Sequence, residues 1–170
     1  MTDSNFKKGC VLIVGGSGGI GSLCAQEFAN SGANVAITYY KNEQAAIDIA
    51  NEISAEVKIY QLDNSDPKSV EDTFKKVIKE HGSINTLVNA AGFDIPQKFI
   101  SEIDADLWRE VIDADINGFF NLIKSGLPYL RESQGSIVFI SSAGLFKLSL
   151  IHISEPTRRY AISYAVFCLK

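Results

Sequence analysis

Val11-Leu12-Ile13-Val14 empties directly into Gly15-Gly16-Ser17-Gly18-Gly19-Ile20-Gly21, and an apolar-periodic stretch over 22–30 follows at once. That order reads as a buried strand, a glycine turn and a helix. Gly15 suits the tight turn at the strand end, Gly19 lets backbone N–H groups approach a pyrophosphate, and Gly21 lets the helix pack closely on the strand. Glycine-rich turns also serve loops that hold nothing, so the expectation of a dinucleotide site depends on what surrounds this one.

The surroundings repeat the alternation. The pattern predicts a second buried strand over 33–38, a helix over 43–55 and a third strand over 57–62. Asp66-Pro67 opens a further helix running to about residue 80, with Asp66 as N-cap and Pro67 at the first helical position. A fourth strand over 84–88 follows. One long helical pattern then runs over 105–133, weakly broken by Gly118, Gly126 and Pro128, before a fifth strand over 136–140. Strands alternating with helices at this spacing imply right-handed crossovers, hence an α/β chain with a doubly wound parallel sheet of the Rossmann type covered on both faces.

With 170 residues, 46% of them hydrophobic, the chain is long enough for one domain with a real core. A net charge of -4 leaves no basic stripe for a nucleic-acid backbone, so nucleic acid is not an expected partner. The N-terminal stretch is polar, and no apolar run has the length of a signal h-region or membrane span; the expectation is a cytoplasmic protein without membrane contact. Cys10, Cys24 and Cys168 form no C-x-x-C pair, which argues against a disulfide framework or zinc site and favours buried thiols. His81 reads as an exposed residue near a helix end. Trp108, Phe119 and Phe120, at helical spacing, read as core.

Four stations now stand in order: Gly15-x-x-x-Gly19-x-Gly21, Asp63 after the third strand, Asn89-Ala90-Ala91-Gly92 after the fourth, and Ser141-Ser142 after the fifth. Together they resemble the classical short-chain dehydrogenase/reductase family, over about residues 8–146. The resemblance implies that Gly15, Ser17, Gly18, Gly19, Ile20 and Gly21 hold the pyrophosphate and adjoining ribose. Asp63 would accept from the adenine amino group, with the Asn64 backbone beside the ring. Asn89 would brace the central strands, and Ala90, Ala91 and Gly92 would line the nicotinamide ribose. Asp63 also suits a cap of the turn Asp63-Asn64-Ser65-Asp66, and Asn89 an ordinary strand-end turn.

In such folds an acid after the second strand bonds the ribose hydroxyls and repels a 2′-phosphate. Tyr39-Tyr40-Lys41 occupies that place without an acid, which favours NADP(H), with NAD(H) as the alternative. Lys41 is the candidate phosphate partner or, equally, an exposed lysine at a helix entry.

By the same resemblance, Ser142 matches the serine that holds a reacting carbonyl oxygen, a task suited to a positioned hydroxyl donor. The family's proton donor is a tyrosine in a Tyr-x-x-x-Lys pair about a dozen residues later, the ammonium lowering the phenol pKa. Glu155 and Arg159 stand near those places, Tyr164 is followed four residues on by Cys168, and the pair is absent from this chain. Asp115 occupies the position of a family asparagine that supports a proton relay through water; Asn117, roughly 200° further round an α-helix, is a poor substitute.

Residues 148–170, from Leu148-Ser149-Leu150-Ile151-His152-Ile153 to the C-terminal lysine, resemble the translation of a transposase-type sequencing adapter with its index and constant flank. The expectation is that residues 1–147 are the N-terminal part of a single reductase domain, incomplete at its C-terminus, and that 148–170 is a non-native tail. A typical family chain runs to about 250 residues. The expected function is hydride transfer between a nicotinamide cofactor and a secondary alcohol or ketone, with a 3-oxoacyl thioester as the candidate substrate, by a full-length form that is a homo-oligomer, with this chain inactive. The alternatives are a non-catalytic dinucleotide-binding or regulatory protein, and an epimerase or dehydratase variant of the scaffold.

Overall fold

A computed structural model describes residues 9–53, 55–93 and 99–141. The chain divides into two units, Met1–Ile140 and Ser141–Lys170, and the architecture below belongs to the first. Ser142 and the expected tail lie outside the described residues.

Five parallel strands are laid out in the order β3-β2-β1-β4-β5: β1 Cys10–Val14, β2 Val35–Tyr39, β3 Val57–Gln61, β4 Ile84–Asn89 and β5 Ser136–Phe139. The helices between them are α1 Gly19–Asn30, α2 Glu43–Glu52, α3 Pro67–His81, α4 Ala105–Val111 and α5 Gly118–Ser133. Strand order reverses at β1, whose neighbours are β2 and β4, and ligands of open α/β sheets bind at such a reversal, beyond the strands' carboxyl ends.

Successive side chains of a strand point to opposite faces, and β1 is buried on both. Leu12 and Val14 pack with Val70, Phe74, Val77 and Leu122 of α3 and α5 on one face. Val11 and Ile13 pack with Ala25 of α1 and Ala46 of α2 on the other. The third crossover is capped as its sequence predicts: Asp66 accepts from the Lys68 amide at 3.0 Å, with Pro67 opening α3. Asn42 caps α2 by accepting from the Ala45 amide at 3.1 Å.

The long helical pattern over 105–133 is interrupted where no glycine or proline predicts it. Residues Ile112–Asn117 form π-helical turns between α4 and α5, whereas α5 runs unbroken through Gly126 and Pro128. A π segment widens the turn and re-aims the residues in it, and here two of them are used in tertiary hydrogen bonds.

Other sequence expectations are also corrected. β5 is exposed along its length rather than covered, with Phe119 packing its ring on Phe139 at 4.5 Å between centroids. Trp108 and Phe120 are more than half exposed, so they are surface rather than core residues. His81 is half-buried, edge-on to the Tyr60 ring at 6.4 Å, and burial pushes its imidazole pKa down. Cys10 is buried as expected, and burial pushes its thiol up to about 12; Cys24 is only half-buried.

Two substitutions test this packing. Phe74→Ala, at the centre of the α3/α5 face, should cost about 3–5 kcal/mol in urea unfolding; a cost under about 1 kcal/mol would contradict the packing. Gly21→Ala would set a Cβ 2.2 Å from the Gly15 carbonyl oxygen, so thermal melting should fall by at least about 5 °C, and an unchanged melt would contradict that contact.

Candidate functional site

The glycine turn is built around two close approaches. Gly15 leaves β1 with φ of +77°, and a Cβ there would lie 2.7 Å from the Ala91 backbone, so β1 and the β4 exit touch main chain to main chain. Gly21 seats α1 against the Gly15 carbonyl in the same way. Between them the Gly18 amide donates to the Gly15 carbonyl at 3.0 Å, closing the turn. The Gly15 amide donates to Thr38 Oγ1 at 3.2 Å, tying the turn to the end of β2.

Gly18 caps α1 without a side-chain bond, and a Cβ on Gly19 would meet open space. The first-turn N–H groups at Gly19, Ile20 and Gly21 precede any intrahelical acceptor, so this exposed helix end is suited to an anion. Ser17 stands at the rim of the same turn. A dinucleotide pyrophosphate therefore fits here: the two glycines that fold the turn have no space for a side chain, while the glycine that would meet a ligand does.

A cleft of about 510 Å³ opens beyond the carboxyl ends of β1 to β4. It brings together Gly15, Tyr39, Tyr40, Lys41, Asp63, Asn64, Ala91 and Gly92 of the expected site. Ser17 to Gly21 lie outside its lining, as do Asn89 and Ala90. Asn89 is buried and works from behind: its Oδ1 accepts from the Ala91 amide at 3.2 Å, while its carbonyl accepts from Ile140 at 3.0 Å across to β5. The Ala90 amide donates to the Val14 carbonyl at 2.9 Å. The expected bracing of the central strands thus has its hydrogen bonds.

Asp63 forms the local turn cap and also lines the cleft. Its Oδ1 accepts from the Ser65 amide at 2.9 Å and the Ser65 hydroxyl at 2.6 Å. Asn64 contributes more than backbone: its Nδ2 donates to the Ala114 carbonyl at 3.0 Å. Lys41 Nζ lies 4.8 Å from the centre of the exposed Tyr40 ring, a cation–π contact at the cleft mouth. Tyr39 is buried; that burial, then a hydrogen bond to the Glu43 carboxylate, hold its phenol above the ordinary range.

Asp115 faces the β4 exit. Its Oδ1 accepts from the Phe93 amide at 2.8 Å, so one carboxylate oxygen is committed to the backbone of a cleft-lining loop. Asn117 donates to Asp113 Oδ1 at 2.7 Å in an exposed position and does not stand in for Asp115. That separation follows from the π-helical turn rather than from the α-helical rotation expected of the sequence.

Four contributors were missed by sequence reading. Thr38 supports the turn, Glu110 and Asp113 add carboxylates to the helix-side wall, and buried Asn121 bonds the carbonyls of Asn64 and Ser65 at 3.0 and 3.3 Å. Only Thr38, at a predicted strand end, carried a local signal. The other three reach the site from α4, the π segment and α5 respectively. Among the described residues, no three His, Cys, Asp or Glu side chains are grouped to hold a metal, and no helix is long and apolar enough to cross a membrane.

The profile described as short chain dehydrogenase matches residues 9–151. The chain is 29% identical over 160 residues to an uncharacterized oxidoreductase of Staphylococcus epidermidis, covering 94% of this chain and 65% of that protein. It is 33% identical over 135 residues to the 3-oxoacyl-[acyl-carrier-protein] reductase FabG of Staphylococcus aureus, covering 77% and 54%. A solved short-chain type dehydrogenase/reductase from Mycobacterium ulcerans superposes with a TM-score of 0.75 at 25% identity, covering 82% of this chain and 53% of the other. The chain thus spans about half to two thirds of the length of such relatives. Matched through nearly all of its described residues, with the glycine turn and sheet order in place, the chain belongs to the short-chain dehydrogenase family.

Proposed function

We propose that this chain is the cofactor-binding part of an oxidoreductase that moves hydride between a nicotinamide dinucleotide and a secondary alcohol or ketone. The observation that carries the reading is the junction of the Gly15/Gly21 turn with a cleft at the carboxyl ends of β1 to β4. A nicotinamide cofactor supplies the hydride acceptor or donor. The chain's own residues bind and orient it.

The first turn of α1 meets the pyrophosphate with N–H groups, and Asp63 and Asn64 border the adenine end. Ala91 and Gly92, kept in place by Asn89, border the nicotinamide ribose. Asp63, Glu110 and Asp113 add carboxylates to the cleft lining, and Lys41, just past the end of β2, is the cation among those lining residues. That cation, with no acid in Tyr39-Tyr40-Lys41 at the end of β2, supports NADP(H) with its 2′-phosphate directed to Lys41. The likeness to FabG supports a 3-oxoacyl thioester as substrate.

Ser142 is the proposed carbonyl-holding donor, and Asp115 a support that has exchanged the family's amide for a carboxylate bonded to Phe93. Without a Tyr-x-x-x-Lys pair there is no lysine-tuned proton donor, a deficit worth about 10²–10⁴ in rate. The chain is therefore proposed to bind cofactor without useful turnover, and residues 148–170 to be other than the native continuation. Localisation in the cytoplasm completes the reading. Exposed Trp108, Ile116 and Phe120 on the α4–α5 face supply apolar surface for self-association of the full-length form.

NADPH fluorescence titration tests the reading. Saturable binding should be abolished by Gly19→Asp, which brings a carboxylate to the anion site, and Lys41→Ala should weaken NADPH about fivefold while leaving NADH nearly unchanged. A wild-type preference for NADH would overturn the phosphate assignment, and equal NADPH affinity in Gly19→Asp would remove the glycine turn from the site.

A further inference from the structure

The π-helical segment Ile112–Asn117 touches both loops that wall the cleft, through adjacent residues. Ala114 offers its carbonyl to Asn64 Nδ2 on the β3 exit loop at 3.0 Å. Asp115 offers Oδ1 to the Phe93 amide on the β4 exit loop at 2.8 Å. These bonds bridge 50 and 22 residues of chain. They therefore fix the loops in space rather than shape them locally.

The β3 side is held a second time. Asn121, buried in α5 and absent from the cleft lining, donates to the carbonyls of Asn64 and Ser65. Gly118 leaves room for this arrangement, since a Cβ there would lie 2.5 Å from Asn64 Nδ2. Asn64 is thus enclosed between the Ala114 carbonyl of the π segment and a glycine that opens α5.

We infer that the π segment is a strap, with Asn64, Asn121 and Asp115 as positioning residues, that ties the β3 and β4 exit loops into one mechanical unit. The width of the cleft, and with it the fit of a dinucleotide, is then set in part by Asn121 and Asp115, which lie outside its lining. This consequence rests on the cofactor reading above; the coupling between the loops does not.

Amide hydrogen exchange on the ligand-free 170-residue chain separates the two. Phe93 and Ser65 amides, each bonded to a carboxylate in the structure, are the reporters, and Leu12 and Val88 in the core are internal controls. Asn64→Ala, which leaves the Phe93–Asp115 bond intact, should speed exchange at Phe93 about tenfold with the controls unchanged. Asp115→Ala should in turn speed exchange at Ser65, whereas Asp115→Asn, which keeps an acceptor oxygen, should restore wild-type protection at both. Should Asn64→Ala also lose core protection, the Asp115→Ala and Asp115→Asn pair decides. Phe93 protection unchanged in a folded Asn64→Ala, or Ser65 protection unchanged in a folded Asp115→Ala, would overturn the strap. Failure of the wild-type chain to bind NADPH, with coupling intact, would overturn the cofactor reading alone.

Discussion

The contact on which the rest depends is the main-chain approach of Gly15 to Ala91, which leaves no space for a side chain at Gly15. It requires a glycine in the left-handed region at the end of β1, and it requires β4 to lie directly beside β1. Adjacency of those two strands places the reversal of strand order, and the reversal opens the cleft. Thr38 and Asn89 then reinforce the junction from either side, one through the Gly15 amide and the other through the Ala91 amide. A buried hydrogen bond adds on the order of 1 kcal/mol, too little to create the geometry but enough to remove alternatives to it.

The polar groups around the cleft follow from the same layout. The glycine turn offers backbone donors at a helix N-terminus, and Lys41 stands at the mouth. Asp63 at the β3 exit, Glu110 on α4 and Asp113 on the π segment add carboxylates to the cleft lining. Asp63 and Asp115 also show how a carboxylate divides its duties. Each spends one oxygen on a backbone amide of the loop it shapes.

The elements that could be read in the sequence are those whose reason is local. Val11-Leu12-Ile13-Val14 is apolar throughout because both faces are buried, and Asp66-Pro67 announces α3 because a cap and a first-turn proline act within one turn. The start of α1 was read three residues late because Gly19 and Gly21 are poor helix formers, accepted there for closeness rather than propensity. The π turns left no periodic trace, since a single widened segment preserves the apolar spacing of the helices that flank it. Asn121 was silent for a related reason: its partners lie 57 and 56 residues away. Trp108 and Phe120 looked like core because helical spacing identifies a face without saying what, if anything, covers it.

A titration of the backbone amide spectrum with NADPH tests the central claim most directly, that a dinucleotide lies across the carboxyl ends of β1 to β4 with its pyrophosphate on the α1 turn. The account predicts saturable shifts concentrated at Gly15, Gly19 and Ile20, with a second group at Asn64, Ser65 and Gly92 on the two exit loops. Shifts confined to the outer face of α1 around Leu23, or a spectrum unchanged at millimolar NADPH in a folded chain, would contradict it.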